Sequence, residues 1–170
     1  METATRPYAF SRKVFCEGMR DGVPIALGYF AVSFSLGIAA RSAGLTPIQG
    51  FIASLFNNAS AGEYAAFSLI AAGATYVEVA IITLIANARY LLMSCALAQR
   101  FAPGTPFFHR LIIGYDVTDE LFGITIARPG CLNPFYTYGA ITLAAPAWAM
   151  GTALGIVAGN LLPLRAVSAL

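Results

Sequence analysis

The sequence predicts an all-α fold: a polytopic transmembrane helical bundle of about five membrane segments, the second of them broken or re-entrant. Three observations carry that expectation. Of 170 residues, 58% are hydrophobic and only 11% charged, with a mean hydropathy of +0.72, whereas soluble domains carry about a quarter charged residues. Apolar stretches recur over residues 22–40, 47–72, 74–98, 107–127 and 134–162, each long enough, at about 1.5 Å per residue, to cross ~30 Å of hydrocarbon. The runs are continuous, whereas a β-barrel needs alternating strands of ~10 residues with turn residues between them. Residues 1–170 therefore read as a single transmembrane domain.

Residues 1–21 form a cytoplasmic, interfacial lead-in. Tyr8, Phe10 and Phe15 suit the headgroup region, and Arg12, Lys13 and Arg20 hold that end inside. The first apolar run exceeds the ~7–15 residues of a secretory h-region and further membrane segments follow it, which argues against a cleavable export signal.

In the second segment the apolar pattern collapses at Asn57-Asn58-Ala-Ser60-Ala-Gly-Glu63, leaving pieces at 47–56 and 64–72 that each cover half a bilayer. Non-helical backbone survives at membrane depth only when buried in protein or lining a wet cavity, and broken helices of this kind build many transporter binding sites. The break belongs either to one interrupted crossing or to a re-entrant hairpin. Counting Lys and Arg at segment ends separates the two. The hairpin puts Arg6, Arg12, Lys13, Arg20, Arg100, Arg110 and Arg165 inside and Arg41 and Arg128 outside, a bias of seven to two; the single crossing gives five to four. The charge bias favours the hairpin. Against it, Gly28-Tyr29, Gly37-Ile38 and Gly44 align without gaps with Gly114-Tyr115, Gly123-Ile124 and Gly130, and an inverted repeat would require the single crossing.

The third segment carries Glu78 near its start, where a headgroup-level acid is expected, and Arg89 deep within it. Arg89 either snorkels or pairs with an acid of the fourth segment. That segment holds Asp116, Asp119 and Glu120 midway along its length. A charge at the bilayer centre costs ~2.5–3.5 kcal/mol on insertion scales, so such acids mark ion or substrate pathways, unless they sit at a span edge or in a wetted loop. Their i, i+3, i+4 spacing places all three on one face of a continuous helix. In the fifth segment Gly151, Gly155 and Gly159 form one smooth stripe for close helix packing, with a neighbouring span or with a partner. Trp148 sits too near the middle of that segment for an aromatic belt and is expected to pack inside the bundle.

Other chemistries find little to work with. Cys16, Cys95 and Cys131 are odd in number and far apart, and His109 is the only histidine, so neither a disulfide framework nor a metal site is expected, and no cofactor. A net charge of +2 with scattered basic residues argues against nucleic acid. An intramembrane aspartyl protease would place a second aspartate on another span, in a Gly-x-Gly-Asp element, and a serine-type one needs a span histidine beside a Gly-x-Ser-Gly nucleophile; neither constellation is present, so no enzyme is expected. Asn57, Asn58, Ser60 and Glu63 instead suit a small zwitterion: a half-helix starting near Ser60 would point its N–H groups at a carboxylate, while Glu63 or Asp119 meets an ammonium.

With these residues laid out, the chain resembles the AzlC-type permeases, bacterial branched-chain amino acid exporters. Glu17-Gly-Met-Arg-Asp-Gly-Val-Pro24 looks like that family's opening span, Ala59-Ser-Ala-Gly-Glu-Tyr-Ala-Ala66 its small-polar element, Asn87-Ala-Arg-Tyr-Leu-Leu-Met93 its N-x-R element, Thr118-Asp-Glu-Leu-Phe122 its TDE element, and Trp148-Ala-Met-Gly-Thr152 with Gly155 its later Trp–Gly span. The resemblance implies a secondary transporter of the bacterial cytoplasmic (inner) membrane that, as the larger subunit, exports valine, leucine, isoleucine or similar amino acids with a small AzlD-type membrane partner. Asn58, Ser60, Glu63, Asn87, Arg89, Asp119 and Glu120, with Asp116, are then expected to line the substrate and ion path, with Asp119 or Glu120 coupling protons. The family carries glutamine where this chain has Glu63, and its members continue through further spans beyond position 170, so dependence on a partner is expected. The alternative is a non-transporting scaffold or truncated remnant that binds a partner subunit through the Gly151/Gly155/Gly159 stripe. Topology has a native probe: an impermeant thiol reagent will label Cys131 from outside under the hairpin arrangement and from inside under the single crossing.

Overall fold

A computed structural model describes residues 9–161, and the regular elements among them are helices: α1 (Arg12–Ser42), α2 (Pro47–Asn57), α3 (Ser60–Ala71), α4 (Tyr76–Ala86), α5 (Arg89–Arg100), α6 (Phe107–Tyr115), α7 (Asp119–Ile126) and α8 (Pro134–Leu161). Arg6, Tyr8 and Arg165, which entered the expectations above, lie outside the described residues.

The all-helical class holds, and of the about five membrane segments expected, the second of them broken or re-entrant, the described residues supply two or three candidate spans. Among the described residues only α1 and α8 are long and apolar enough to cross a membrane, and α4 with α5 would add a third as one interrupted span. The reason lies in the chain's polar residues. Asn58 takes a left-handed conformation, with φ 41°, a state asparagine tolerates better than most residues, and this ends α2 and frees α3 to start afresh. Asn87 and Ala88 separate α4 from α5. Residues 107–127 are also not one helix: α6 stops at Tyr115, and α7 begins after Thr118, whose hydroxyl accepts the Leu121 N–H at 3.3 Å. Helices of 8–12 residues reach only ~12–18 Å.

Local signals fix several starts. Thr46 with Gln49, and Thr75 with Glu78, form capping boxes at α2 and α4, each satisfying two otherwise orphaned N–H groups. The lead-in is continuous with the first segment: α1 runs 31 residues from Arg12. The proposed repeat survives only at its last glycine, since Gly44 and Gly130 both take left-handed turns (φ 78° and 71°), whereas Gly28 and Gly37 lie in unbroken α1 and their counterparts lie on the separate helices α6 and α7.

The residues gather into two compact units, each built from a half of α1 and of α8. In the first unit (up to residue 26, and 88–144), α5 packs against α6 and α7, around Leu97, Phe101, Ile113, Val117 and Leu132. Arg100 donates to the carbonyls of Ile126, Arg128 and Gly130 at 3.0, 2.6 and 3.0 Å, neutralising the exposed end of α7. Arg128 pairs with Glu17 at 2.8 Å. His109 bonds Tyr138 at 2.8 Å within an aromatic group that includes Phe135.

In the second unit (27–87 and from 145), α3 packs along α4. The glycine stripe of α8 lies against α1: a Cβ at Gly155 would fall on the Phe34 carbonyl oxygen, and one at Gly151 on the side chain of Ser33. The stripe is therefore occupied by this chain's own helix. Both units turn large apolar side chains outward, among them Leu84 (69% exposed) and Leu92 (76%), a surface suited to lipid and adverse in water. Because α1 backbone fills the space beside Gly155, Gly155→Ala will lower the thermal midpoint in detergent, at a cost of ~1–3 kcal/mol for overpacking. Gly28→Ala, where nothing lies within 4 Å, will leave it unchanged or raise it.

Candidate functional site

The break between α2 and α3 brings polar side chains together within the second unit. Asn57, the last residue of α2, accepts from Asn87 Nδ2 at 3.0 Å, so the polar end of α4 is tied to the polar end of α2. Gly62 permits the approach: a Cβ there would come within 2.5 Å of Asn87 Oδ1. That Oδ1 atom is buried and has no hydrogen-bond partner, as has Thr83 Oγ1 one turn earlier on α4. Two acceptors withheld from the fold are unusual, because buried polar atoms are ordinarily satisfied. Both side chains line a groove along α3 and α4 with Ala66, Ile70, Val79 and Ala80.

α3 itself starts at Ser60 behind Ala59, which supplies no side-chain cap. Its first-turn N–H groups are thus left without the acceptor that Thr46 and Thr75 give α2 and α4. Ser60 is exposed and Asn58 buried.

Glu63 departs from expectation. It is fully buried, and its carboxyl faces α2 and α8. Oε1 accepts from Ser54 and, at 3.2 Å, from Thr152, while Oε2 accepts from Trp148 Nε1 at 2.6 Å. Helical phase explains the geometry. Glu63 and Phe67 are one turn apart on α3, Gly50 and Ser54 on α2, and Thr152 and Ile156 on α8, so three aligned faces meet. Phe67 and Ile156 form the apolar floor with Ala40. Trp148 does pack inside, edge-on to Tyr29 with ring centroids 5.3 Å apart, but it also donates to the acid.

The charged residues of the first unit divide differently. Arg89 pairs with Asp119 at 2.8 Å, the partnership anticipated for it. Its guanidinium also meets Tyr90, through a 3.2 Å hydrogen bond to the hydroxyl and by lying 5.1 Å from the ring centroid. The one-face reading of the three acids fails, because the helix is interrupted between them. Asp116 is buried at the end of α6, whereas Asp119 and Glu120 occupy the first turn of α7 behind the Thr118 cap, where acids complement the helix dipole. Glu78 is likewise accounted for locally: its carboxylate accepts the Thr75 N–H at 2.8 Å.

Comparison with known proteins is decisive at this point, since the sequence profile described as AzlC protein matches residues 24–162. The chain belongs to the AzlC family. It is similar to an uncharacterized membrane protein of Archaeoglobus fulgidus, with 28% identity over 151 residues, covering 89% of this chain and 65% of that one. It is also similar to the inner membrane protein YgaZ of Escherichia coli (24% over 164 residues; 94% and 67%), and to an uncharacterized membrane protein of Helicobacter pylori (23% over 151 residues; 87% and 65%). The chain thus spans about two thirds of the length of the curated relatives it matches. No solved structure matches it. Within this AzlC-family membrane protein, the partners of Glu63 were the residues that sequence reasoning missed; the only available sign was that Trp148 and Thr152 sit one turn apart.

The Arg89–Asp119 pair is open to its surroundings, with side chains 47% and 42% exposed, so its energy is that of a surface pair. In a double-mutant cycle, Arg89→Gln and Asp119→Asn will each lower the thermal midpoint in detergent slightly. The double variant will fall short of their sum by a coupling of about 0.5–1 kcal/mol.

Proposed function

We propose that this chain is the larger, permease subunit of a two-subunit secondary exporter in a bacterial cytoplasmic (inner) membrane, moving branched-chain or similar neutral amino acids together with a small AzlD-type membrane partner. Membership of the AzlC family supports a transporter component, and the printed name of the Escherichia coli relative supports the inner membrane. The observation that carries the substrate class is the pairing of an uncapped α3 start with the partnerless Asn87 Oδ1. A carboxylate seeks N–H groups at a positive helix end, and an ammonium seeks an unpaired oxygen acceptor. A free amino acid offers both. Apart from Asn87 and Thr83 the groove is mainly apolar, with Ala66, Ile70, Val79, Ala80 and Leu84 among its lining residues, the kind of surface that a branched aliphatic side chain prefers.

In this reading Asn58, Ser60 and Asn87 engage the substrate. Arg89 with Asp119, Glu120 and Asp116 supply charged groups for the ion path. Glu63 stands behind the substrate residues, because its oxygens already have donors. The scaffold alternative loses the surface it relied on, as the glycine stripe of α8 is filled by α1.

The test uses proteoliposomes loaded with labelled leucine or valine, with and without an added partner subunit. Efflux above that of protein-free vesicles is expected. Asn87→Ala will raise the half-saturating leucine concentration about tenfold or more, since a hydrogen bond to a charged group contributes ~1.5–3 kcal/mol. Leak equal to that of empty vesicles under both conditions refutes the proposal.

A further inference from the structure

We infer that the Glu63 carboxyl is a reversible proton-binding site, with Oε1 as the atom that gains and releases the proton. As the coupling site of an exporter it rests on the transport reading above; as a proton site it stands on its own geometry.

The argument begins with the donors. Trp148 Nε1–H can only donate, so Oε2, which it meets at 2.6 Å, is an acceptor whatever the charge on the acid. Oε1 is met by two hydroxyls, Ser54 and Thr152. A hydroxyl both donates and accepts and turns freely about its C–O bond. With Glu63 ionised, both hydroxyls donate to Oε1. When Oε1 takes a proton from water, the new O–H donates to one of the hydroxyls, which rotates its own hydrogen elsewhere. No side chain has to move for either state to be hydrogen-bonded. A site made only of donors, such as backbone N–H groups or a guanidinium, could satisfy only the ionised form.

The surroundings make the exchange matter. Glu63 is wholly buried and forms no ion pair; its hydrogen-bond partners are the three neutral groups named above. α2 carries no ionisable side chain, nor do residues 145–161 of α8. From α1, Tyr29 meets Trp148 edge-on, and Arg41 is bonded to Asn160. On α4, Tyr76 is exposed and Glu78 is engaged in its own cap; Tyr64, next to Glu63 on α3, is exposed. Among the described residues an ionised Glu63 therefore meets no cation to balance it, and a proton is what neutralises this carboxyl. In a transport cycle, a proton bound here from water on one side of the membrane and released to water on the other moves one positive charge.

Trp148 is the only tryptophan in the chain, and its indole N–H is bonded to the acid, so its fluorescence reports this site without a label. Purified full-length protein in detergent, titrated between about pH 4 and 9, will show one sigmoidal change in Trp148 emission. Glu63→Gln, which keeps the shape and removes the proton, will show none. Infrared difference spectra over the same range will show a protonated-carboxyl C=O band that is absent from the variant. A flat wild-type titration overturns the inference, and needs no variant to fold. So does a transition that persists in Glu63→Gln. In leucine-loaded proteoliposomes, Glu63→Gln will keep leucine counterflow and lose accumulation driven by a pH gradient; unchanged gradient-driven accumulation overturns the coupling role. Absence of leucine flux in the wild type, with the fluorescence transition present, refutes the transport reading and upholds the proton site.

Discussion

The interaction on which the second unit depends is the closure of one carboxyl by three donors from two other helices. In lipid the apolar side chains of one helix gain little by leaving the bilayer for another helix, so helix association rests on close packing and on hydrogen bonds between helices. Glu63 supplies the bonds: Ser54 of α2 and Trp148 and Thr152 of α8 all end on its two oxygens. The glycines of α8 supply the packing, since only a residue without a Cβ lets the helix backbone reach the Phe34 carbonyl. The two effects share a helix face, because Trp148 with Gly151, and Thr152 with Gly155, are three residues apart. A network of this kind is worth most when complete, and this one leaves neither carboxyl oxygen without a donor.

The interruptions of the helices follow from a second constraint, that a backbone broken at membrane depth must find partners for its freed N–H and C=O groups. Thr46, Thr75 and Thr118 do this at α2, α4 and α7 with their own hydroxyls, and Arg100 does it for the carbonyls that follow α7. α3 is the exception among these, as Ala59 has no side-chain acceptor to offer. α5 and α6 also start without a side-chain cap, behind Ala88 and Pro106, so what distinguishes the α3 start is the partnerless Asn87 Oδ1 packed close to its first turn at Gly62.

Much of this was legible in the residues. The extent of α8, the apolar part of α1, the collapse of the apolar pattern at Asn57-Asn58 and the pairing of Arg89 with an acid of the fourth segment follow from composition and from the cost of charge in hydrocarbon. The break at Asn87-Ala88 did not, because alanine and arginine continue a helix as readily as they begin one. The break at 116–118 was obscured by an accident of spacing: acids at i, i+3 and i+4 look like one helix face, yet Thr118 followed by Asp119 and Glu120 is equally the pattern of a helix start. The Ser54, Trp148 and Thr152 shell was out of reach, since two of its members lie 85 and 89 positions from Glu63 and only tertiary packing joins them.

The contrast between Glu63 and Glu78 shows how little in the sequence separates structural from chemical roles. Glu78 is the third residue of its helix, the position from which a glutamate side chain reaches back to the cap, and there it accepts the Thr75 N–H. Glu63 is the fourth residue of its helix, behind a cap that offers nothing. One position further on, the side chain has turned about 100° around the axis, away from its own helix end and toward α2 and α8. The same residue type, in the first turn of two neighbouring helices, is thus a cap in one and a buried acid with switchable donors in the other. Asp119 and Glu120 likewise sit in the first turn of α7, where acids complement the helix dipole; Glu63, in the first turn of α3, is set apart by donors that come from other helices.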